Sequence, residues 1–194
     1  MARRSDHNSE ELKELAITKA LKLIEEKGEA GFKARAIAKE MGYTVGTLYY
    51  LFGDLGQFRL HVCGRLLDMH YDEITREIAR KKNRLDYHII KYLQYAQNRP
   101  NFSKFLYTEK VGTRNEKPEW YLEKYKKHYA LFIETFKEVI KDKKLALKAG
   151  NTIWAHIHGV CILLLTDKLP MLGVSSPESM IRHLVKNYLD GLKH

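Results

Sequence analysis

The sequence has few of the features that mark a strand-rich, secreted or membrane-spanning protein. Alternating apolar and polar runs are short, and the β-branched residues are scattered. Its two cysteines, Cys63 and Cys161, are too few for a disulfide framework. They fit small core residues in a reducing cytoplasm, with a thiol sensor as the alternative. No apolar run reaches the length of a membrane span, and no apolar stretch follows the basic N-terminus, so neither a span nor a signal peptide is expected.

Motifs of common enzyme and metal-binding classes are also missing. We find no glycine-rich phosphate loop, no nucleophile elbow and no paired metal ligands. His156 and His158 are two residues apart, so on a helix they would point about 200° apart and could not bind one ion. We therefore expect a protein that is not an enzyme and uses no metal or other cofactor, with His158 as a hydrogen-bonding residue in helix packing.

Positive charge is in excess, but it does not locate a binding site. The net charge of +10 suits a polyanionic partner, either nucleic acid or an anionic membrane surface. Residues 1–60 carry ten Lys or Arg and nine Asp or Glu, a net charge of +1, whereas residues 61–194 carry 24 and 15, a net charge of +9. An all-helical dimer that binds an anionic surface or a protein partner through this basic body is therefore the alternative to DNA binding.

Helical periodicity dominates the chain and predicts an all-α fold. Asn8, paired with Glu11, favours a capped start for a first helix that ends at Gly28. Asp54 is expected to cap a long helix over 55–80, which contains a domain boundary near residue 60. The chain then divides into an N-terminal domain over 1–60 and a larger all-helical domain over 61–194. The other predicted helices span 33–40, 45–51, 85–98, 100–110, 118–141, 144–167 and 176–192, with a polar loop over 111–117.

The second and third helices have the proportions of a helix-turn-helix. Gly42 suits the positive φ of a helix end, and Thr44 can cap the helix that follows. A DNA major groove accepts one helix, and the preceding helix holds it in place. The recognition helix can be short because only its first turns reach base edges. Leu48 and Phe52, four residues apart, are expected to face the core.

Eight residues around this turn are candidate DNA contacts. A Lys and an Arg start the second helix, where free backbone N–H groups also attract phosphate. Threonine and tyrosine hydroxyls can reach phosphates or base edges, apolar side chains can touch thymine methyls, and a glycine permits close approach. Taken alone, however, a tyrosine pair on a short helix is more often core packing. The candidates are Lys33, Arg35, Thr44, Val45, Gly46, Thr47, Tyr49 and Tyr50.

The stretch FKARAIAKEMGYTVGTLYYLFGDLGQF resembles the DNA-binding domain of the TetR family of bacterial transcriptional regulators. The resemblance covers about residues 10–62. It implies a cytoplasmic DNA-binding protein that regulates transcription. The matching residues, in order, are Ile37, Ala38, Gly42, Thr44, Gly46, Thr47, Leu48, Tyr49 and Phe52.

Two residues depart from the family pattern. Leu51 replaces an aromatic residue and Leu55 replaces a lysine, and both family residues commonly contact phosphate. The resemblance therefore implies weaker or differently distributed backbone contacts. Backbone N–H groups at the start of the fourth helix could compensate.

The C-terminal half carries a weaker resemblance and a candidate dimer interface. Trp154, His158 and Gly159 form a W-x-x-x-H-G pattern that resembles the WHG-type domain of some TetR-family members. Their helix is apolar almost all round, and the last helix, capped by Ser176, has a wide apolar stripe. Two such helices from each subunit would form a four-helix interface in a homodimer. The candidate interface residues are Ile157, Leu164, Met180, Ile181, Leu184, Val185 and Tyr188.

Aromatic residues are numerous between the fourth and eighth helices, which suits a pocket for a small apolar or aromatic ligand. Each aromatic residue alone is more often part of the core. The candidate pocket residues are Phe102, Phe105, Tyr107, Trp120, Tyr121, Tyr125, Trp154 and His158. With the resemblance, these patterns predict a homodimeric repressor that binds a near-palindromic double-stranded DNA operator, does not bind membranes, and is released by the ligand.

Overall fold

The described chain consists of helices, turns and short connections. The structure is a computed structural model that describes residues 9–109 and 117–192, and no strand occurs in those two ranges. The all-α fold class predicted from the sequence is confirmed. The expected cap at Asn8 and most of the expected loop over 111–117 lie outside the described residues.

Every predicted helix has a counterpart whose ends lie within three residues of those expected. Two short 3-10 turns, Gly28–Gly31 and Pro170–Leu172, were not predicted. The helices are α1 (Ser9–Lys27), α2 (Ala34–Met41), α3 (Val45–Phe52), α4 (Leu55–Ile78), α5 (Arg84–Asn98), α6 (Pro100–Tyr107), α7 (Glu119–Val139), α8 (Lys143–Leu165) and α9 (Pro177–Gly191).

The helix starts follow from local hydrogen bonds. The backbone N–H of Thr47 donates to Thr44 Oγ1 at 3.4 Å, and that of Gln57 donates to Asp54 Oδ1 at 2.8 Å. Ser176 caps α9 in the same way. Each cap satisfies a backbone donor that the helix itself leaves unpaired. The three caps expected from the sequence are therefore confirmed.

The described residues form two compact units. Unit 1 contains the residues up to Met69 together with those from Asn101 to Lys124, and unit 2 contains His70–Pro100 and the residues from Tyr125 onward. The helices α4 and α7 each contribute to both units. Unit 1 thus extends along α4 past residue 60 and includes α6, so the functional boundary near residue 60 stays a prediction.

The core of unit 1 holds the short helices in place. Ile24 on α1, Ile37 on α2, Leu48 on α3, and Phe58 on α4 are buried together with Phe105 on α6. These side chains come from five helices that are too short or too polar to be stable alone. Burial of their apolar faces is what stabilises the arrangement.

Arg59 connects several parts of unit 1. Its guanidinium donates to both carboxylate oxygens of Glu29, at 2.6 and 3.0 Å, and to the Phe105 carbonyl at 3.2 Å. It also donates to Glu109, which pairs with Lys117 at 2.8 Å. Because the guanidinium lies 3.9 Å from the centre of the Phe105 ring, it also makes a cation–π contact there. Arg59 therefore links the turn after α1, α4 and the end of α6.

Unit 2 is built on α8, which packs against α5 and α9. Two residues expected at a dimer interface belong to its core instead. Ile157 on α8 is 1% exposed and Ile181 on α9 is 2% exposed within the single chain. Their surface is already covered, so neither side chain has area to bury against a partner.

Both cysteines are buried core residues. Burial raises the pKa of the Cys63 and Cys161 thiols to about 12, so both are neutral near pH 7. Since the thiolate is the reactive form, this favours a packing role over a thiol sensor. In the described ranges, no helix is both long enough and apolar enough to cross a membrane.

Candidate nucleic-acid interface

A tight turn sets the direction of α3 relative to α2. Gly42 ends α2 with φ of +76°, and its N–H donates to the Lys39 carbonyl at 3.0 Å. The Tyr43 N–H donates to the Ala38 carbonyl at 2.9 Å. Only glycine adopts this left-handed conformation without steric cost, so the turn depends on Gly42.

The inner face of α3 is anchored in the core of unit 1. Leu48, Leu51 and Phe52 are all buried, and the Phe52 ring lies 4.4 Å from the Phe58 ring between centroids. The expectation that Leu48 and Phe52 face the core is confirmed by their burial. A helix of eight residues held by three buried side chains has a fixed outer face.

The outer face of α3 presents two tyrosines to solvent. Tyr50 is 84% exposed and Tyr49 is 45% exposed. The general tendency of such a pair to pack in the core therefore does not hold here. Tyrosine rings carry much apolar surface, and leaving them in water has no benefit for folding. This exposure is what a surface built for contact with another molecule would show.

The polar candidates at the start of α3 form a small hydroxyl cluster. Thr44 Oγ1 and Thr47 Oγ1 lie 3.3 Å apart within hydrogen-bonding distance. Gly46 is exposed beside them, and a Cβ atom there would meet only Thr44 Oγ1 at 3.5 Å, an ordinary contact. The fold therefore does not require glycine at position 46. Val45 is half-buried against the core, so only part of its side chain is accessible.

The start of α2 has the features of a phosphate contact. Lys33 precedes α2 and its side chain does not cap the helix. Both Lys33 and Arg35 are exposed. Uncapped N–H groups and two cations at one helix start attract phosphate groups.

The start of α4 is less suited to phosphate than the sequence indicated. The Asp54 carboxylate accepts the Gln57 N–H, so it occupies a backbone donor and adds a negative charge. Leu51 is buried, and Leu55 packs against the same core. Neither leucine offers a hydrogen-bond donor, so phosphate contacts at this end would have to come from other groups.

The candidate pocket residues fall in both compact units. Phe102, Phe105 and Tyr121 are buried in the core of unit 1, which accounts for them without a ligand. Their role as pocket residues stays a prediction. Tyr107 and Trp120 also belong to unit 1, whereas Tyr125, Trp154 and His158 belong to unit 2.

His158 makes the kind of packing contact that the sequence predicts. A hydrogen bond of 2.9 Å joins its Nδ1 to the Tyr92 hydroxyl, and its ring stacks on Trp154 at 5.2 Å between centroids. His156, by contrast, is exposed and bonds the Thr152 carbonyl on its own helix at 2.7 Å. The two histidines are therefore separated, as expected.

A cluster of histidines in unit 2 had no counterpart in the sequence predictions. His70, His88 and His128 lie on α4, α5 and α7 and meet through tertiary packing. They are 18 and 40 residues apart in sequence, so no local spacing relates them. The count of nine histidines was the only signal in the sequence.

A known protein family matches the part of the chain that contains the candidate DNA contacts. The family model of the bacterial regulatory proteins of the tetR family matches residues 16–54. This range includes the whole of α2, the turn and α3. No curated protein matches the sequence.

Solved structures share the fold across nearly the whole chain. A TetR transcriptional regulator from Rhodococcus sp. RHA1 has a TM-score of 0.63 and 16% identity, with 94% of this chain and 98% of that chain covered. The regulator FadR from Bacillus subtilis, in complex with stearoyl-CoA, has a TM-score of 0.68 and 17% identity, with 92% and 98% covered. The fatty acid degradation regulator FadR from Bacillus halodurans has a TM-score of 0.66 and 17% identity, with 94% and 97% covered.

Sequence and fold therefore agree, and the resemblance to the TetR family is confirmed. The chain is therefore similar over residues 16–54 to the tetR family of bacterial regulatory proteins, and it shares its fold with a solved TetR transcriptional regulator.

Proposed function

We propose that the chain is a cytoplasmic homodimeric repressor that binds a near-palindromic operator through α2 and α3 and is released by a small ligand bound in its C-terminal half. In a symmetric dimer, two recognition helices about 34–36 Å apart would read two half-sites one DNA turn apart. A ligand that binds one arrangement of the dimer better than the other would shift that spacing and weaken DNA binding.

The exposure of Tyr49 and Tyr50 is the observation that carries the proposal. The same short helix buries Leu48, Leu51 and Phe52, so its orientation is set by the core. Two large rings and the hydroxyls of Thr44 and Thr47 are left at the surface, beside the cationic start of α2. Hydroxyl, aromatic and cationic groups together match phosphates and base edges in a groove.

Apolar surface on α8 and α9 supports the proposed dimer. Met180 is 37% exposed, and four further interface candidates, Leu164, Leu184, Val185 and Tyr188, are only half-buried. Met171 and Leu172, in the connection between these helices, are 83% and 62% exposed. Exposed apolar side chains concentrated on two adjacent helices and their connection are typical of a protein interface.

A partly apolar effector fits the aromatic content of the C-terminal half. The similar FadR structure from Bacillus subtilis holds stearoyl-CoA, which combines a long apolar chain with a charged head. At 17% identity, the shared fold does not identify the effector of this chain. Stearoyl-CoA is therefore one member of a screening set that also includes small aromatic molecules.

The test is fluorescence anisotropy with duplexes selected from a random pool, at several salt concentrations. We expect a selected palindrome, a steep salt dependence, and at least about tenfold weaker binding for Tyr50→Ala. Tyr50→Phe separates the hydroxyl from the ring. Tyr129→Ala removes a half-buried tyrosine of unit 2 that is not among the site candidates; it is the matched control and should bind DNA normally.

Two results would count against the proposal. One is the absence of any enriched sequence, with only salt-sensitive general binding. The other is equal binding by native protein and Tyr50→Ala. Binding to anionic vesicles that Thr47→Ala leaves unchanged would then favour the alternative, in which the basic body with its charge of +9 is the binding surface.

A further inference from the structure

Three imidazole rings meet inside unit 2. A hydrogen bond of 3.1 Å joins His128 Nε2 to His70 Nδ1, and the two ring centroids are 4.7 Å apart. The ring centroid of His88 lies 6.4 Å from that of His128. Tyr95 stacks on His70 at 4.2 Å. We call His70, His88 and His128 the histidine cluster.

Several polar atoms of this cluster are buried without a partner. His70 is 2% exposed and His88 is fully buried. The Nε2 of His70, both ring nitrogens of His88 and the Tyr95 hydroxyl have no hydrogen bond to any described residue. Buried polar groups are nearly always bonded, and a buried polar group left unpaired destabilises the fold. Four such atoms around adjacent rings indicate a site for a polar group.

The electrostatic surroundings favour an anion. The charged or titratable groups that act on the three rings are the other rings and the Arg84 guanidinium, and no carboxylate in the described ranges is among them. Arg84 pairs with Glu138 at 2.6 Å through one terminal nitrogen, but its Nε is buried without a partner.

Among the neighbours from the other packed elements, no carboxylate acts on the rings themselves. Tyr71 on α4 lies 6.2 Å from His128, and Tyr92 on α5 lies 5.4 Å from His70, both between ring centroids. On α7, Phe132 lies 5.1 Å from His88. Besides burial, the Glu73 carboxylate raises the pKa of the Tyr95 hydroxyl by charge repulsion of the ionised form, and it is not among the groups that act on the rings. The three rings thus offer N–H donors beside Arg84, whose own partner is Glu138, and none of the rings has a carboxylate acting on it.

From this geometry we propose that the histidine cluster binds the carboxylate of a small organic acid. This deepens the proposed function, on which it rests, because the acid would be the effector. Ring N–H groups of His70 and His88, with the Tyr95 hydroxyl, are the donors. The described residues contain no set of three His, Cys, Asp or Glu placed to hold a metal ion, so an organic anion fits better than a metal.

Binding of a carboxylate changes the protonation of the cluster. Burial lowers the pKa of His88 to about 3 and that of His128 to about 4, with further lowering of His88 by its cationic neighbours. A bound carboxylate supplies the missing negative charge and raises these pKa values. A ring then takes a proton from solvent, and the product is an imidazolium–carboxylate pair. A neutral alcohol at the same place would leave the rings neutral.

Calorimetry in two buffers of different ionisation enthalpy tests this directly. The probes are acetate, benzoate and octanoate, each compared with its alcohol: ethanol, benzyl alcohol and octan-1-ol. We expect at least one acid to bind about tenfold tighter than its alcohol near pH 7. We also expect uptake of about one proton per bound acid and none with the alcohol.

Variants separate the cluster from other histidines. His88→Gln and His70→Gln should each weaken acid binding about tenfold and reduce proton uptake. His156→Gln removes an exposed histidine of α8 and should change neither. If His88→Gln does not fold, nitrogen NMR of the rings in the native protein gives the same answer, because benzoate should convert a neutral ring of the cluster to imidazolium.

The inference is wrong if no acid binds and the ring signals stay unchanged, or if an alcohol binds as tightly as its acid without proton uptake. Operator binding is measured separately by anisotropy. Acid binding without release of DNA would uphold the carboxylate site and contradict the proposed release. Release by a neutral ligand without proton uptake would uphold the proposed function and contradict the carboxylate site.

Discussion

At the scale of single residues, α3 divides its eight positions between folding and contact. Leu48 and Phe52 are buried and anchor the helix in the core, whereas the side chains of Tyr49 and Tyr50 are exposed to solvent. Gly46 is the most informative of the contact positions, because its helical backbone and open surroundings would accept a side chain. A glycine that the fold does not need, at the start of α3, fits the close approach to DNA that the proposed function requires.

Gly46→Ala separates folding from DNA binding. Alanine favours a helix over glycine by about 1 kcal/mol, so we expect the variant to be at least as stable as the native protein in urea unfolding. We expect its operator binding to weaken about tenfold, because the added methyl keeps α3 away from the groove. Gly191→Ala, also an exposed glycine in open space, is the control. Unchanged DNA affinity in Gly46→Ala would remove the close-approach argument.

His88 should make stability depend on pH. Its folded-state pKa is lowered by burial to about 3, against an ordinary value of 6.5. Above pH 6.5 the ring is neutral in both states and contributes no pH dependence. Below that value the unfolded state takes up the proton, so the free energy of unfolding falls by about 1.4 kcal/mol per pH unit until the folded ring also titrates near pH 3.

Urea unfolding in carboxylate-free buffer measures this contribution. Between about pH 7.5 and pH 5.5, the native protein should lose about 1.4 kcal/mol more than His88→Gln does. His156→Gln, which removes an exposed histidine of α8, is the matched control and should lose as much as the native protein. Equal losses in the native protein and His88→Gln would show that His88 is not held neutral by the fold.

At the scale of elements, caps and a few long-range ion pairs add to the stability that apolar burial provides. The caps at Thr44, Asp54 and Ser176 act within a single turn and depend only on neighbouring residues. Arg59 acts differently, because Glu29 and Glu109 lie 30 and 50 residues from it in sequence. Because Arg59 pairs with two carboxylates and stacks on an aromatic ring, it holds separate elements of unit 1 together.

Arg59→Met should destabilise the protein by about 2 kcal/mol. The side chains of Arg59 and Glu109 are only 18% and 10% exposed, so removal of the guanidinium leaves a largely buried carboxylate with Lys117 as its remaining cation. Arg65→Met is the matched control on the same helix. Arg65 pairs with Glu14 at the surface, and its loss should cost under about 1 kcal/mol. Equal midpoints for the two variants in urea would contradict this assignment.

At the scale of the whole molecule, the proposed function depends on a second copy of the chain. A single helix-turn-helix reads one half-site, and a two-fold axis is needed to read a palindrome. The side chains offered to that axis are those left partly exposed on α8 and α9, with Met180 as the most exposed of the candidates.

Met180→Glu should weaken the dimer at least about tenfold, because a carboxylate would be buried without a partner. Sedimentation equilibrium gives the dissociation constant. Leu147→Glu changes an apolar residue of similar exposure, 44% against 37%, that is not an interface candidate, and should leave the dimer intact. Monomeric native protein, or a dimer insensitive to Met180→Glu, would refute this interface.

The limits of the sequence are visible in particular residues. Thr44, Asp54 and Gly42 identified helix ends correctly, because caps and left-handed glycines act through adjacent backbone groups. Asp54 also shows the limit of such reasoning, since its carboxylate occupies a donor that the helix was expected to offer to phosphate. The apolar stripe of the last helix made Ile181 a candidate dimer contact, although the structure buries it within the single chain.

The sequence by itself determined the helices, their order and the helix-turn-helix, because these depend on residues within one or two turns of each other. The outward orientation of Tyr50, the histidine cluster and the role of Arg59 were decided only by tertiary structure. A helical pattern states which residues share a face, but burial depends on what packs there, and the partners of His88 and Arg59 come from distant parts of the chain.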